Sequence, residues 1–133
     1  MCKVIFDREL LRYVKRRVNP SCEIYVIGKS EPFQNDVTYG ELLELGFDEF
    51  ANVVDGGTKY FSSLVKGHYS EVVDELVSRS DIVVCKGMAN FEAVDELHWT
   101  TPITYLLKAK CKPIADAFNT SVNATVVAIR VRK

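Results

Sequence analysis

The sequence lacks most of the features that mark specialised classes of protein. Its four cysteines show no CxxC spacing, so a zinc site is not predicted and reduced thiols in a cytoplasmic protein are expected. No apolar run approaches the roughly 20 residues of a membrane span, and no signal-peptide pattern follows Met1. The formal net charge of −1 gives no bulk electrostatic basis for binding nucleic acid. The absence of GxGxxG argues against a nucleotide-binding Rossmann domain.

The composition is that of an ordinary globular protein. The 133 residues are 47% hydrophobic and 26% charged, which is enough for a hydrophobic core, and we predict that 1–133 is a single α/β domain. Helix-like and strand-like patterns alternate, which predicts a Rossmann-like three-layer sandwich with a mostly parallel sheet. The predicted strands are 23–27, 51–54, 82–85, 103–107 and 125–131. The predicted helices are 2–18, 36–45 or 38–45, 69–78, 88–97 and 113–118.

The segment 80–92 is the first candidate for a functional site. The apolar run 82–85 predicts a buried central strand, which ends at Lys86 and Gly87. Ligands of open α/β sheets bind at the carboxyl ends of strands, so Lys86 is a candidate phosphate contact, with Asn90 in the first turn of the next helix. The alternative is that Lys86 only ends the strand in solvent and that Gly87 is the turn.

Two further loops carry polar groups suited to a ligand. Asn35 and Asp36 offer the hard oxygen atoms that Mg²⁺ or Mn²⁺ prefers. The alternative is a helix N-cap, which uses the same residue types. Gly56 and Gly57 follow a predicted strand and could present N–H groups to an anion, but a plain turn would use the same residues.

Three stretches resemble one protein family. Residues 80–92, SDIVVCKGMANFE, are similar to ADLVISKGxGNFE of the metal-dependent damage-control phosphatases, a family formerly known only as a domain of unknown function. Residues 105–115, YLLKAKCKPIA, resemble LLKAKCxPVA of that family, and residues 25–38, YVIGKSEPFQNDVT, resemble YVVxGxPxxNDAT. The order and spacing also agree, so the resemblance covers nearly the whole chain.

The resemblance implies a function and a set of site residues. It implies hydrolysis of phosphate monoesters of damaged or surplus metabolites, with Mn²⁺, Co²⁺, Ni²⁺ or Mg²⁺ as cofactor. The motif match assigns a metal ligand to Asp36, with Asn35 beside it, and a phosphate-side role to Lys86 and Lys110. The alternative for Lys110 is a structural role at the end of a strand. Lys29 is assigned only a phosphate contact. Gly56 and Gly57 match a loop that approaches the substrate.

One departure from the family pattern bears on activity. The family hallmark Asp-Asn-x-Gly-Glu precedes a helix that continues as IVFD. Here VIFD is residues 4–7, and Cys2 and Lys3 stand where Gly and Glu are expected. The chain therefore resembles the C-terminal part of the family domain, with two metal ligands and the leading helical region missing. A short form without catalysis, a partner chain that supplies the missing part, and a misplaced start codon all explain this pattern.

Two functions from different classes follow. The first is a metal-binding phosphatase-type domain that acts on a small phosphorylated metabolite and is inactive alone. The second is a non-catalytic module that binds an anion or metabolite, or serves assembly, with the same fold. A homo-oligomer or a partner chain fits either function. The sequence does not specify the substrate, the metal or the oligomeric state.

Overall fold

The computed structural model describes residues 2–34, 36–57 and 64–132. The chain folds as two compact units. The first unit contains the residues up to 57 together with 68–70, and the second contains 64–67 and the residues from 71 onward. Within the described ranges, no helix is both long and apolar enough to cross a membrane.

The first unit is built on two parallel strands. Helix α1 (Cys2–Tyr13) continues into a π-helical turn (Val14–Val18), where Asn19 N–H donates to the Val14 carbonyl at 2.9 Å. Strand β1 (Tyr25–Gly28) pairs in parallel with β2 (Asn52–Asp55), so Gly28 and Asp55 lie side by side at the carboxyl ends. The predicted strands 23–27 and 51–54 are confirmed with slightly shifted bounds.

Helix α2 (Tyr39–Glu44) connects these strands and begins at a capping box. The Thr38 hydroxyl accepts from the Glu41 N–H at 3.2 Å, and the Glu41 carboxylate accepts from the Thr38 N–H at 2.9 Å. This reciprocal pair satisfies two N–H groups that a helix start otherwise leaves unpaired. The cap is therefore Thr38, so the shorter of the two predicted helices, 38–45, is confirmed with slightly shifted bounds.

The second unit is a three-stranded mixed sheet with helices between its strands. Its helices are α3 (Glu71–Arg79), α4 (Met88–Asp95) and α5 (Lys112–Ala117). Its strands are β3 (Val83–Lys86), β4 (Ile103–Lys108) and β5 (Thr125–Arg130), in the order β3-β4-β5. Strands β3 and β4 are parallel, and β5 is antiparallel to β4. The α/β class is confirmed, and of the three strand pairings that the described residues form, two are parallel.

One face of this sheet carries the core of the second unit. Phe91 of α4 packs edge-to-face on Tyr105 of β4 with ring centres 5.1 Å apart, and Phe118 lies 4.7 Å from Phe91. Such aromatic pairs add to the free energy gained by burial. The buried residues of these three strands are Cys85, Ile103, Tyr105, Leu107 and Val126.

The position of β3 corrects the sequence interpretation. The run 82–85 predicts a buried central strand, but β3 lies at the edge of its three-stranded sheet. Cys85 is buried, whereas Val84 and Ile82 are exposed. An apolar run indicates that a strand favours a buried environment. It does not indicate whether other strands pair with both of its edges.

Alanine substitutions at two glycines of the first unit test the packing between β1 and α2. A Cβ at Gly28 would lie 2.7 Å from the Tyr39 backbone nitrogen and 2.8 Å from Leu42 Cδ1. At Gly40 the nearest atom is 4.0 Å away. Gly28→Ala should therefore lower the free energy of unfolding by about 1–3 kcal/mol because α2 must shift. Gly40→Ala should raise it by about 0.5–1 kcal/mol, as in an open helix position.

Urea denaturation of both variants measures these changes. Equal effects of the two substitutions would contradict the close contact at Gly28.

Candidate functional site

An ion pair with a buried cation lies just beyond the carboxyl end of β1. Lys29 is 4% exposed, and its Nζ lies 2.7 Å from Oδ2 of Asp36 and 4.5 Å from the centre of the Phe33 ring. The Asp36 side chain is 47% exposed. A buried ammonium is stabilised only when it is paired, so Asp36 supplies a charge that Lys29 needs. The sequence suggested only a phosphate contact for Lys29.

A second carboxylate lies at the end of β2. Oδ1 of Asp55 accepts from the Gly57 N–H at 2.9 Å and from the Ser30 hydroxyl. Because Ser30 follows Lys29, two consecutive residues contact the carboxylates of Asp36 and Asp55. The carboxyl ends of β1 and β2 therefore carry an acidic and partly neutralised cluster.

The loop after β2 is fixed by its own backbone bonds. The Gly56 N–H donates to the Gly28 carbonyl at 2.9 Å, and the Gly56 carbonyl accepts from the Ser70 N–H at 2.9 Å. Gly57 has φ of 74°, and a Cβ there would lie 3.0 Å from the Ser70 nitrogen. The N–H groups of both glycines thus donate within the chain, and their contact with an anion stays a prediction.

The second unit brings three predicted residues together at the start of α4. Lys86 ends β3 and is exposed, and Gly87 follows with φ of 85°. The Asn90 Nδ2 group donates to the Lys86 carbonyl at 2.7 Å. The Lys110 N–H lies 3.3 Å from Sδ of Met88, the first residue of α4. A cationic side chain beside a helix N-terminus is a combination suited to an anion.

Two side chains of the second unit, Cys85 and Tyr105, are unsuited to nucleophilic catalysis. Burial raises the pKa of Cys85 to about 12, although Arg130 opposes the shift. Burial likewise raises the pKa of Tyr105 to about 12. Because both groups stay protonated at neutral pH, neither is a nucleophile there. The sequence interpretation of Cys85 as a buried thiol is confirmed.

The described residues do not by themselves fit a divalent metal. Within 2–34, 36–57 and 64–132, no three His, Cys, Asp or Glu side chains form a group that could hold one. The Asp36 carboxylate already pairs with a buried ammonium. Mg²⁺ and Mn²⁺ prefer several oxygen ligands at once. Asn35 lies outside the described residues, so the metal role of Asn35 and Asp36 stays a prediction.

The chain is an α/β protein in which each unit has candidate residues at the carboxyl end of a strand. In the first unit this residue is Asp55 at the end of β2, and in the second unit it is Lys86 at the end of β3, before α4. The model of the damage-control phosphatase ARMT1-like domain matches residues 3–126. The chain therefore belongs to the damage-control phosphatase family.

Relatives with curated descriptions agree with this assignment. An uncharacterized protein of Methanocaldococcus jannaschii is 32% identical over 127 residues, which cover 94% of this chain and 40% of the relative. A damage-control phosphatase of Pyrococcus horikoshii is 31% identical over 121 residues, 91% of this chain and 41% of the relative. The crystal structure of a DUF89 family protein from P. horikoshii matches with a TM-score of 0.81 at 30% identity, over 92% of this chain and 41% of that one. The chain thus spans about two fifths of the length of these relatives.

The ion pair between Lys29 and Asp36 predicts a measurable coupling. In a double-mutant cycle with Lys29→Met and Asp36→Asn, the interaction free energy should be about 0.5–3 kcal/mol, because each single variant leaves one polar partner behind. Chemical denaturation of the four proteins measures it.

The exposed pair Lys112–Asp116, at 2.8 Å, is the matched control. Its coupling should be only about 0.3–0.5 kcal/mol. Additive effects at Lys29 and Asp36 would show that the pair does not stabilise the first unit.

Proposed function

We propose that this chain supplies the phosphate-binding part of a damage-control phosphatase that acts on phosphate monoesters of small metabolites. Family membership supports a phosphatase-type function. The observation that carries the proposal is Lys86, which is exposed at the carboxyl end of β3 and immediately precedes Gly87 and α4.

The proposed phosphate contacts share one side of the second unit. The Lys86 ammonium supplies a point charge for a phosphoryl oxygen, and the N-terminus of α4 supplies the partial positive charge of its backbone dipoles. Asn90 braces the turn through its bond to the Lys86 carbonyl. Lys110 adds a second cation whose backbone lies against Met88. In catalysis, Lys86 would neutralise charge that develops on the phosphoryl oxygens.

The resemblance also implies a divalent metal, for which the described residues do not form a complete set of ligands. We assign Asp36, with Asn35, as its contribution to a site for Mn²⁺, Co²⁺, Ni²⁺ or Mg²⁺. The remaining ligands would come from polypeptide that corresponds to the part of the relatives that this chain does not span. Gly56 and Gly57 would form the substrate-side loop next to Asp55. The described residues alone do not form the metal site.

A non-catalytic anion-binding or assembly module is the second candidate. The observation in its favour is the Lys29–Asp36 pair, which places a buried cation on the carboxylate that the metal would use. The free thiols of Cys22, Cys85 and Cys111 fit a reducing, cytoplasmic location for either function. A homo-oligomer or a partner polypeptide remains part of both proposals.

Phosphate binding tests the role of Lys86 directly. Lys86→Ala should weaken the binding of inorganic phosphate about tenfold or more, because a charge-assisted contact is lost. Isothermal titration calorimetry measures the affinity. Lys112→Ala, which removes an exposed lysine of the same unit, should leave it unchanged. Equal affinities of wild type and Lys86→Ala would show that Lys86 only terminates the strand.

Hydrolysis distinguishes the two candidate functions. The 133-residue chain should show little turnover of a generic phosphate monoester with Mn²⁺, Co²⁺, Ni²⁺ or Mg²⁺, because Asp36 alone cannot hold the ion. A polypeptide segment with the motif Asp-Asn-x-Gly-Glu, joined upstream, should restore turnover, and Asp36→Ala should abolish it again.

Two outcomes would contradict this account. Robust metal-dependent turnover by the chain alone, lost in Asp36→Ala, would show that its own residues complete the site. Continued inertness after the segment is restored would favour the binding module.

A further inference from the structure

One face of the sheet in the second unit is apolar and exposed. The register places Val84, Thr104 and Ile129 in one row across the strands, and Lys86, Leu106 and Val127 in the next. Val84 is 54% exposed, Ile129 64% and Val127 73%. We call this surface the open face. Its aliphatic residues, including two just beyond the strand ends, are Ile82, Val84, Leu106, Val127, Ile129 and Val131.

On the opposite face of the same strands, the corresponding residues are buried. Cys85, Tyr105 and Val126 are each at most 6% exposed, and the Tyr105 ring packs against Phe91 and Phe118. Strands that pair in parallel are characteristically covered on both faces. The open face therefore has the composition of a buried surface without a cover among the described residues.

The composition of the edge strand β3 is also relevant to this surface. Among residues 2–34, 36–57 and 64–132, β4 is the one strand that pairs with β3. Exposed edges usually carry charged or proline residues that prevent pairing with another chain. Within β3, Val83, Val84 and Cys85 provide neither of these, and its one charged residue is Lys86 at the carboxyl end.

The lengths of the relatives indicate what covers this surface. The matched residues make up 91–96% of this chain but only 40–43% of the relatives. In the solved P. horikoshii structure, the match likewise covers 41% of that chain. Most of each relative thus consists of polypeptide with no counterpart in these 133 residues.

We propose that the open face docks polypeptide corresponding to the part of the relatives that this chain does not span. The docked segment would present aliphatic side chains to Val84, Val127 and Ile129. This inference rests on the proposal that further polypeptide completes the phosphatase domain, but it concerns packing and not hydrolysis. A second copy of this chain is the rival occupant.

A chimeric protein tests the proposal. In it, this chain replaces the matching 121 residues of the P. horikoshii phosphatase, so both parts are held in one polypeptide at high effective concentration. Val127→Cys probes the open face. Val122→Cys, in the loop before β5 and 45% exposed, is the matched control in the same unit. The rate of maleimide modification at each introduced thiol, followed by peptide mass spectrometry, is the readout.

We expect the chimera to protect the thiol at position 127, but not the thiol at position 122, from maleimide. In the chimera, the thiol of Val127→Cys should react at least about tenfold more slowly than the thiol of Val122→Cys, since docking removes position 127 from solvent. In the isolated chain, the two thiols should react at similar rates. Equal rates within the chimera would overturn the proposal, whatever the phosphatase activity. Protection at position 127 in the isolated chain that is lost on dilution would overturn it in favour of a second copy.

Discussion

The requirement that parallel strands be covered on both faces governs the arrangement of this protein. Strands β3 and β4 meet it on one side, where Tyr105 packs against Phe91 and Phe118. On the other side, Val84 of β3 remains exposed, as do Val127 and Ile129 of the antiparallel neighbour β5. The same pairing aligns the carboxyl ends of the strands, where the sheet presents Lys86. Stability and the candidate site therefore both depend on how the strands pair and on what covers them.

The charges at the strand ends differ between the two units. At β1 and β2, two carboxylates are each held by a neighbouring donor, Asp36 by Lys29 and Asp55 by Gly57 and Ser30. At β3, an exposed cation stands before a helix N-terminus. An anionic ligand fits the second arrangement. A cation at Asp36 has to compete with a buried ammonium, and this competition separates the phosphate-binding proposal from the metal-binding one.

Much of this structure follows from local sequence patterns. The runs 82–85, 103–107 and 125–131 predict strands because they are short, apolar and bounded by turn residues, and they do form one sheet. Thr38 with Glu41 follows the capping-box pattern. Two features do not follow. The edge position of β3 depends on which strands the chain contains, and the burial of Lys29 depends on its pairing with Asp36 further along the chain. Neither feature can be predicted from a short stretch of the sequence, because each depends on residues that are distant along the chain. The roles of Asp36, Lys86, Asn90, Gly56, Gly57 and Lys110 in binding stay predictions.

The central claim is that the turn from β3 into α4 binds phosphate. A nuclear magnetic resonance titration of the 133-residue chain with inorganic phosphate tests this claim most directly. The account predicts saturable shifts of the backbone amides of Gly87, Met88 and Ala89, which are absent in Lys86→Ala and retained in Lys112→Ala. Amides of this turn that stay unmoved while phosphate binds elsewhere, or does not bind, would contradict it.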